Sequence, residues 1–222
     1  MKTLVFSDTH LSSKVDPAQF SLLKQAILDA DKVIINGDFW DQYLTTFDKF
    51  VHSGWNELFP LLKQRQTIYI LGNHDTREHL DERWQQFADR LEDSVDFQIG
   101  NFKFRIEHGH LHTFAFDQAF PLIAQIFLKC YPFFEWLEQS PAVYSYFYLD
   151  FLRKRHIEND LDLRAYSKNH LTEKCWHIFS HSHTPRIDAA SRYINPGMFR
   201  CGSASWLTIG NSGEAELYSE KY

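Results

Sequence analysis

Residues 32–41, KVIINGDFWD, join a β-branched apolar run to a glycine and two aspartates, and this pattern decides the fold. Lys32 to Ile35 predicts a buried strand that ends at Gly37-Asp38. Two further apolar runs in the first hundred residues, Thr3 to Phe6 and Thr67 to Leu71, also stop at polar residues. The sequence therefore predicts three short strands, each followed by a polar loop.

Helical patterns separate these strands. Asp16-Pro17 predicts an N-cap with proline at the first helical position, and the apolar face of this helix continues to Leu28. A second helical stretch is predicted between Phe50 and Leu62. Strands that alternate with helices imply parallel pairing with right-handed crossovers. In such sheets, the loops at the carboxyl ends of the strands line the ligand crevice.

The pattern changes after the third strand. Val95–Ile99 and Phe102–Ile106 flank a Gly-Asn pair and predict a hairpin, and Trp176–Phe179 predicts another strand. Ala204–Ile209 and Glu214–Tyr218 predict a second hairpin near the C-terminus. We therefore expect an α/β fold in which a second, more antiparallel sheet packs against the first.

Composition limits the classes of function. With 222 residues the chain suits one domain, and its net charge of −6 argues against a nucleic-acid partner. The three cysteines form no CxxC pair, so neither a disulfide framework nor a zinc knuckle is indicated. An early acidic residue, Asp8, argues against a signal peptide, and no run approaches the roughly 20 apolar residues of a membrane span. We expect a cytoplasmic protein.

Five polar clusters lie where apolar runs stop, and they carry the chemistry. They are Asp8-Thr9-His10, Gly37-Asp38-Phe39-Trp40-Asp41, Gly72-Asn73-His74-Asp75, His108-Gly109-His110 and His181-Ser182-His183. Imidazole suits zinc, iron and nickel, while carboxylate and amide oxygens also admit manganese and magnesium. The clusters together predict a hydrolytic site that holds two divalent metals.

Each cluster alone has a simpler interpretation. An aspartate at a strand end, such as Asp8 or Asp38, is commonly a helix N-cap. Asn73 after a glycine could be a turn residue, and a lone His181 or His183 could be a buried histidine with no ligand role. The presence of all five clusters in one chain argues against these alternatives.

The order D-x-H, G-D-x-x-D, G-N-H-[DE], H-G and then two histidines two apart resembles the calcineurin-like metallophosphoesterase superfamily. The resemblance covers nearly the whole chain apart from about residues 112–170, and Ser180 stands where a glycine is usual. It implies one domain over residues 1–222, built as a two-sheet β-sandwich flanked by helices. Residues 112–170 would form an aromatic helical insertion.

The same resemblance implies a division of roles among the polar residues. Asp8, His10 and His183 would hold one ion, Asn73, His108 and His181 would hold the other, and Asp38 would bridge them. Manganese is the first expectation, with iron, zinc, nickel or cobalt as alternatives.

Three further residues receive roles beside these ions. His74 would stabilise developing charge or protonate the leaving oxygen. Asp75 would orient His74 through its other ring nitrogen, and Asp41 would hold a ligand imidazole in its tautomer. His110 is expected to contact substrate or support a ligand rather than bind metal.

The sequence of the predicted insertion indicates what kind of substrate the protein would bind. Residues 114–151 are crowded with aromatic side chains, divided by Pro121, Pro132 and Pro141, and end near Arg153-Lys154-Arg155-His156. The aromatics either pack the insertion onto the core or form an apolar lid beside a phosphate site. The cationic run is either a solvated helix face or a grip for phosphate or an anionic membrane surface.

Such an insertion is similar to that of the UDP-diacylglucosamine pyrophosphatases, as are the Ser7–Leu11 and GDFWD stretches. This chain carries His74 where that branch has arginine. The expected substrate is a phosphorylated small molecule or an amphipathic, lipid-like one, with peripheral contact to the inner membrane face through the insertion. A soluble or cyclic nucleotide phosphodiesterase, a protein phosphatase and a non-catalytic metal-binding scaffold are the alternatives, and the oligomeric state is left open.

Overall fold

The computed structural model describes residues 1–115, 149–170 and 175–222. Within these residues the strands are β1 (Thr3–Phe6), β2 (Lys32–Asn36), β3 (Ile68–Ile70), β4 (Arg90–Glu92), β5 (Ser94–Ile99), β6 (Phe102–Glu107), β7 (Cys175–Ile178), β8 (Arg186–Asp188), β9 (Tyr193–Asn195), β10 (Phe199–Arg200), β11 (Ser203–Ile209) and β12 (Ala215–Lys221). The α-helices are α1 (Pro17–Leu28), α2 (Phe47–Val51), α3 (Phe59–Gln64) and α4 (Leu149–Asn169). Short 3₁₀ turns occupy Gly54–Leu58, Arg77–His79, Glu82–Gln86 and His110–His112.

The first sheet has the strand order β10-β11-β1-β2-β3-β4, and β12 pairs with β11. Strands β1 to β4 are parallel, which confirms the three predicted strands and their pairing. The prediction did not include β4, because its short sequence, Arg90–Glu92, is mostly polar. The parallel order sends the loops after β1, β2 and β3 to one edge of the sheet.

The second sheet has the order β5-β6-β7-β9-β8. The predicted hairpin is confirmed as the antiparallel pair β5 and β6, whereas β6, β7 and β9 are parallel. The C-terminal hairpin is also confirmed, but it was expected in the second sheet and instead extends the first. The reason is that β11 is apolar on both faces and therefore suits a position beside β1, where both faces are covered.

The two faces of the first sheet bury separate cores. Alternate residues of its strands, such as Val5, Ile34 and Leu207, pack against the second sheet. Their neighbours, such as Phe6 and Ile35, face the helices. The predicted α/β fold with two packed sheets is thus confirmed.

Helix α1 begins as predicted, because the Asp16 side chain accepts hydrogen bonds from the backbone N–H groups of Ala18 and Gln19. The prediction of one helical stretch between Phe50 and Leu62 is wrong. The structure has α2, a 3₁₀ turn and α3 in this part of the chain. Ser53 caps the turn by accepting from the Trp55 N–H, and Pro60 lies in the first turn of α3. These residues favour new helix starts over continuation.

The predicted insertion is described only at its flanks. Residues 116–148, with most of its aromatics and all three of its prolines, lie outside the described residues. Helix α4 is its C-terminal flank, and Arg164 ties it to the second sheet through a 2.7 Å contact with Asp188. None of the helices in the described ranges has the length and apolar character needed to cross a membrane.

Candidate metal centre

The five polar clusters follow β1, β2, β3, β6 and β7, and backbone hydrogen bonds hold several of their loops together. The Asp8 N–H donates to the Gly37 carbonyl at 3.2 Å, and the His10 N–H donates to the Asp38 carbonyl at 2.9 Å. The His181 N–H donates to the His108 carbonyl at 3.0 Å, which joins the two loops of the second sheet. Side chains from both sheets therefore meet at one edge of the sandwich.

Four of the predicted ligands have left-handed backbone conformations. The φ angles are 52° at Asp8, 44° at His10, 53° at Asp38 and 54° at His183. Residues other than glycine adopt this region at a cost of about 1–3 kcal/mol each, and such strain is concentrated at functional sites. The strained backbone turns these side chains inward from the strand ends.

Two glycines of the motifs allow close approach to the site. A Cβ atom at Gly37 would collide with the ring of His108, and one at Gly72 would collide with the Asp38 carboxylate. Gly37 also has a φ of 83°, which a larger residue would adopt only with strain. The glycines are needed because buried side chains pass directly over their Cα atoms.

Asp8, His10 and His183 form a first group of donor atoms. Their closest ligand atoms lie within 4.8 Å of one another. The His183 Nε2 atom is 2.9 Å from Asp8 Oδ1, and His10 Nε2 is 4.0 Å from the same oxygen. This is the set that the family resemblance assigns to one ion.

Asp38, His108 and His181 form a second group within the same distance limit. Asp38 lies between the groups, because its Oδ2 atom is 3.3 Å from His108 Nε2 and 3.7 Å from His10 Nε2. Its other oxygen, Oδ1, accepts a 2.8 Å hydrogen bond from the His74 N–H. The carboxylate is thus held by one oxygen and presents the other to both groups.

Several donor atoms have no hydrogen-bonding partner within the described part of the chain. Asp8 Oδ2, His10 Nε2 and His108 Nε2 are buried and make no hydrogen bond there. Buried polar atoms in native proteins are nearly always satisfied, so a cluster of such atoms is typical of a ligand-binding site. Carboxylate oxygens and imidazole nitrogens together fit a divalent cation.

The ring of His108 is oriented by Asn36, whose carbonyl lies 2.9 Å from His108 Nδ1. The Asn36 side-chain amide donates to the Ser180 hydroxyl at 2.5 Å, and that of Asn195 donates to the Ser180 carbonyl at 3.0 Å. Ser180 therefore fits at the position where glycine is usual, and its hydroxyl links the ends of β2 and β7.

The pKa values of His108 and His10, two histidines that lie near Asp38, shift in opposite directions. Burial alone would lower the pKa of His108, but the charges of Asp38 and Asp8 outweigh it and raise that pKa to about 10. Burial lowers the pKa of His10 to about 4, although hydrogen bonding to Asp41 opposes the shift. The raised pKa of His108 means that its ring must lose a proton before it can bind a cation.

Asp41 joins two histidines. Its Oδ2 atom lies 3.0 Å from Nδ1 of His10 and 3.0 Å from Nδ1 of His74. Burial would raise the pKa of Asp41, but the charge of His74 and the bonds to both rings hold it below its usual range. Donor atoms of His10, Asp41 and His74 also lie within 4.8 Å of one another. In this third group, however, the carboxylate orients both rings by hydrogen bonds.

Asp75 does not orient His74, and that expectation is wrong. Asp75 Oδ1 accepts from the Gly72 N–H at 2.6 Å, while Oδ2 accepts from the Phe39 N–H at 2.7 Å and the Tyr69 hydroxyl at 2.5 Å. The side chain points into the protein and is fully buried, so it braces the loops after β2 and β3. Asp41 takes the role that was expected of Asp75.

The remaining predicted residues lie at the same edge. Asn73 is buried, and its carbonyl accepts from the Gln42 side chain at 3.2 Å. The His110 ring is 5.5 Å from that of His108, yet His110 belongs to none of the donor groups found in the described residues.

Two residues near the site lie outside the predicted site residues, and His156 had a predicted role only as part of the cationic run. Arg200 lies at the end of β10, and its charge adds to burial in lowering the pKa of His10 and of His183. His156, on α4, stacks its ring on that of His183 at 4.3 Å. Neither residue belongs to a superfamily motif. The cationic run that contains His156 was the one sequence feature that indicated a functional role for it.

The calcineurin-like phosphoesterase superfamily domain matches residues 1–126, more than half of the chain. The chain belongs to the calcineurin-like phosphoesterase superfamily. A search of curated proteins gives no match. The superfamily uses divalent metals, in agreement with the donor groups described above.

Solved structures are similar to the whole chain at low identity. A single-substitution variant of Vps29 from Entamoeba histolytica is 14% identical with a TM-score of 0.50, covering 100% of this chain and 99% of the other. The phosphoesterase YfcE from E. coli is 16% identical with a TM-score of 0.48, covering 95% and 89%. At these identities, the likeness to Vps29 shows the fold alone.

We predict that Asp75→Asn destabilises the protein by about 1–3 kcal/mol, because an amide N–H would face one of three hydrogen-bond donors. Urea denaturation in the presence of a chelator measures the free energy of unfolding without a contribution from bound metal. Tyr69→Phe is the matched control, since it removes one donor and leaves the carboxylate. An Asp75→Asn variant as stable as wild type would contradict the bracing role.

Proposed function

We propose that the protein is a metal-dependent hydrolase of phosphoester or phosphoanhydride bonds with a binuclear centre. The position of Asp38 carries this proposal, because one of its oxygens faces both histidine groups while the other is fixed by the His74 N–H. A carboxylate so placed would be shared by the two cations of such a centre, as in other bimetallic phosphatases.

The proposed ligand sets follow the sequence prediction. Asp8, His10 and His183 would hold one ion, and His108 and His181 the other, with Asp38 shared. Asn73, which the family resemblance assigns to the second ion, would complete that set. Manganese is the first choice, with iron, zinc, nickel or cobalt as alternatives. Bound divalent cations would neutralise charge on the phosphoryl oxygens and make a water acidic enough to attack phosphorus near neutral pH.

His74 is the proposed proton donor. Asp41 holds its Nδ1 atom at 3.0 Å, which fixes the ring and directs the other nitrogen away from the carboxylate. The His74 side chain is 29% exposed, in contrast to the buried rings of His10 and His108. It can therefore meet a leaving oxygen that the buried rings cannot reach, and donate a proton to it.

The insertion supports a more specific substrate proposal. Both of its described flanks meet the site, since the Phe114 carbonyl lies 3.2 Å from His181 Nε2 and His156 stacks on His183. The aromatic-rich residues 116–148 are joined to the chain at these flanks. We therefore propose a substrate with a phosphate and an apolar portion, such as a UDP-diacylglucosamine-like molecule.

The alternatives make different predictions. A soluble or cyclic nucleotide phosphodiesterase would need the same centre without the apolar preference, and a protein phosphatase would act on phosphorylated polypeptides. A metal-binding scaffold would bind cations without hydrolysis. The intact donor groups and the oriented His74 favour an enzyme over a scaffold.

Chelation should abolish hydrolysis, and manganese, cobalt or nickel should restore it, because mixed nitrogen and oxygen ligands select weakly among these ions. Asp38→Asn should lower the manganese content most, because it changes the shared ligand. Affinity for manganese should rise by up to about tenfold per pH unit for each displaced proton, because His108 has a raised pKa and binds metal only when deprotonated.

Metal analysis and calorimetry at several pH values measure these effects. Asp93→Asn is the matched control, since Asp93 is exposed and pairs only weakly with Arg77 at 3.4 Å. Full activity of the chelated, metal-free protein would exclude the proposed mechanism.

His74→Asn should lower kcat by about 10²–10⁴-fold and leave the manganese content unchanged, because the residue moves a proton rather than binding an ion. Single-turnover kinetics and metal analysis of the same sample test both statements. His79→Asn, at an exposed histidine nearby, should match wild type. Loss of an ion from the His74 variant would make this residue a ligand.

Removing an aromatic that faces an apolar substrate should cost roughly 1–3 kcal/mol in kcat/KM for that substrate. Phe127→Ala and Phe134→Ala, at positions chosen from the sequence and outside the described residues, test this expectation. They should impair hydrolysis of UDP-diacylglucosamine and spare a small chromogenic phosphodiester. Phe102→Ala, at an exposed position on β6, is the control. Equal losses on both substrates would assign the insertion a structural role and favour the soluble phosphodiesterase.

A further inference from the structure

His156 brings an additional imidazole to the centre from outside the superfamily motifs. Its ring lies nearly parallel to that of His183, with centroids 4.3 Å apart and planes 27° from parallel. The His183 ring in turn meets that of His10 at 5.5 Å. His156 therefore lies at the end of the site formed by Asp8, His10 and His183.

The helix that carries His156 is firmly attached. Asp160 accepts a 2.9 Å hydrogen bond from the Tyr193 hydroxyl and lies 3.4 Å from Arg186 Nε. Asn159 donates to the Phe114 carbonyl at 3.2 Å, and the Ser167 hydroxyl donates to the Ser191 carbonyl at 2.8 Å. The imidazole is thus pre-positioned by a rigid element, as a substrate-contacting group requires.

Arg155, which precedes His156 in the basic run 153–156, has interaction partners within the protein. The Arg155 guanidinium lies 4.6 Å from the Phe114 ring centroid and pairs with Glu158 at 2.9 Å. Among the described side chains of this run, His156 is the one that contacts a histidine of the site.

A role for His156 as a metal ligand does not fit the geometry. The donor atoms that lie within 4.8 Å of one another at this end belong to Asp8, His10 and His183. A ligand must point a ring nitrogen at the ion, whereas His156 presents the face of its ring to the ligand beside it.

A packing role alone leaves one observation unexplained. The Nδ1 atom of His156 is buried and has no hydrogen-bonding partner among the residues that the structure describes. A polar atom buried without a partner is costly, and a hydrocarbon side chain would stack on His183 without that cost. Packing against His183 therefore does not account for a histidine at this position, and this favours a ligand-binding role for its polar ring.

We propose that His156 contacts the phosphorylated substrate and donates a ring N–H to a phosphoryl oxygen at the end of the site near His183. An imidazole carries at least one N–H in either protonation state, so this contact needs no change of charge. The proposal rests on the proposed phosphoester hydrolysis and adds to it a substrate-binding residue supplied by the flank of the insertion.

Two variants separate the stacking of His156 from its hydrogen bond. His156→Phe keeps an aromatic ring against His183 and removes the N–H, whereas His156→Gln keeps a side-chain N–H and removes the ring. His170→Phe is the matched control, because His170 follows the same helix and stacks on Tyr166 at 4.0 Å. Manganese content, calorimetric binding of orthophosphate to the manganese-loaded protein and kcat/KM for a chromogenic phosphodiester are measured for each.

We expect His156→Phe to retain manganese and to weaken both orthophosphate binding and kcat/KM by about 10–100-fold, the worth of one hydrogen bond to a charged group. His156→Gln should recover part of this loss, and His170→Phe should match wild type. Unchanged orthophosphate affinity in His156→Phe would overturn the proposal, as would loss of manganese from that variant. If wild type binds manganese and orthophosphate but hydrolyses no phosphodiester, the proposed function fails, while orthophosphate binding still decides the role of His156.

Discussion

The buried carboxylate of Asp38 is the constraint on which the arrangement of the site depends. It lies at the end of β2, between the loops after β1 and β3, and is 1% exposed. A buried charge is unfavourable unless hydrogen bonds and opposite charges compensate for it. The His74 N–H fixes one oxygen, and the rings of His10 and His108 approach the other.

This constraint explains why the second sheet must dock where it does. His108 follows β6, and the Asp38 and Asp8 charges outweigh its burial and raise its pKa. Gly37 brings the β2 loop under the His108 ring, and Asn36 fixes that ring from the same strand. The end of β2 therefore meets His108 of the second sheet in three ways. Asp38 supplies the neighbouring carboxylate, Gly37 leaves room for the ring, and the Asn36 carbonyl orients it.

Much of the fold follows from sequence because β1, β2 and β3 are covered on both faces and so are continuous apolar runs. The sheet to which β11 belongs was not predicted: its apolar residues on both faces indicate a covered strand, but they do not identify β1 as its long-range partner. The division between α2 and α3 could have been inferred from Gly54 and Pro60, which favour separate helix starts.

The residue types of the site were predictable because polar residues at the carboxyl ends of parallel strands converge. The partner of His74 was not, because adjacency in sequence suggested Asp75, whereas the loop directs that side chain towards Tyr69 and Asp41 reaches the ring. His156 lies on a helix far from every motif, and only the packing of α4 beside His183 shows its position.

The proposed ligands come from both sheets and from both ends of the chain, with Asp8 after β1 and His183 after β7. Under this assignment the centre would be a cross-link that closes a long loop of polypeptide, and the two sheets could not separate without releasing an ion. The complete donor set would also exist only after β7 and the loop that follows it have been synthesised and docked. A chain arrested before β7 would then bind metal weakly.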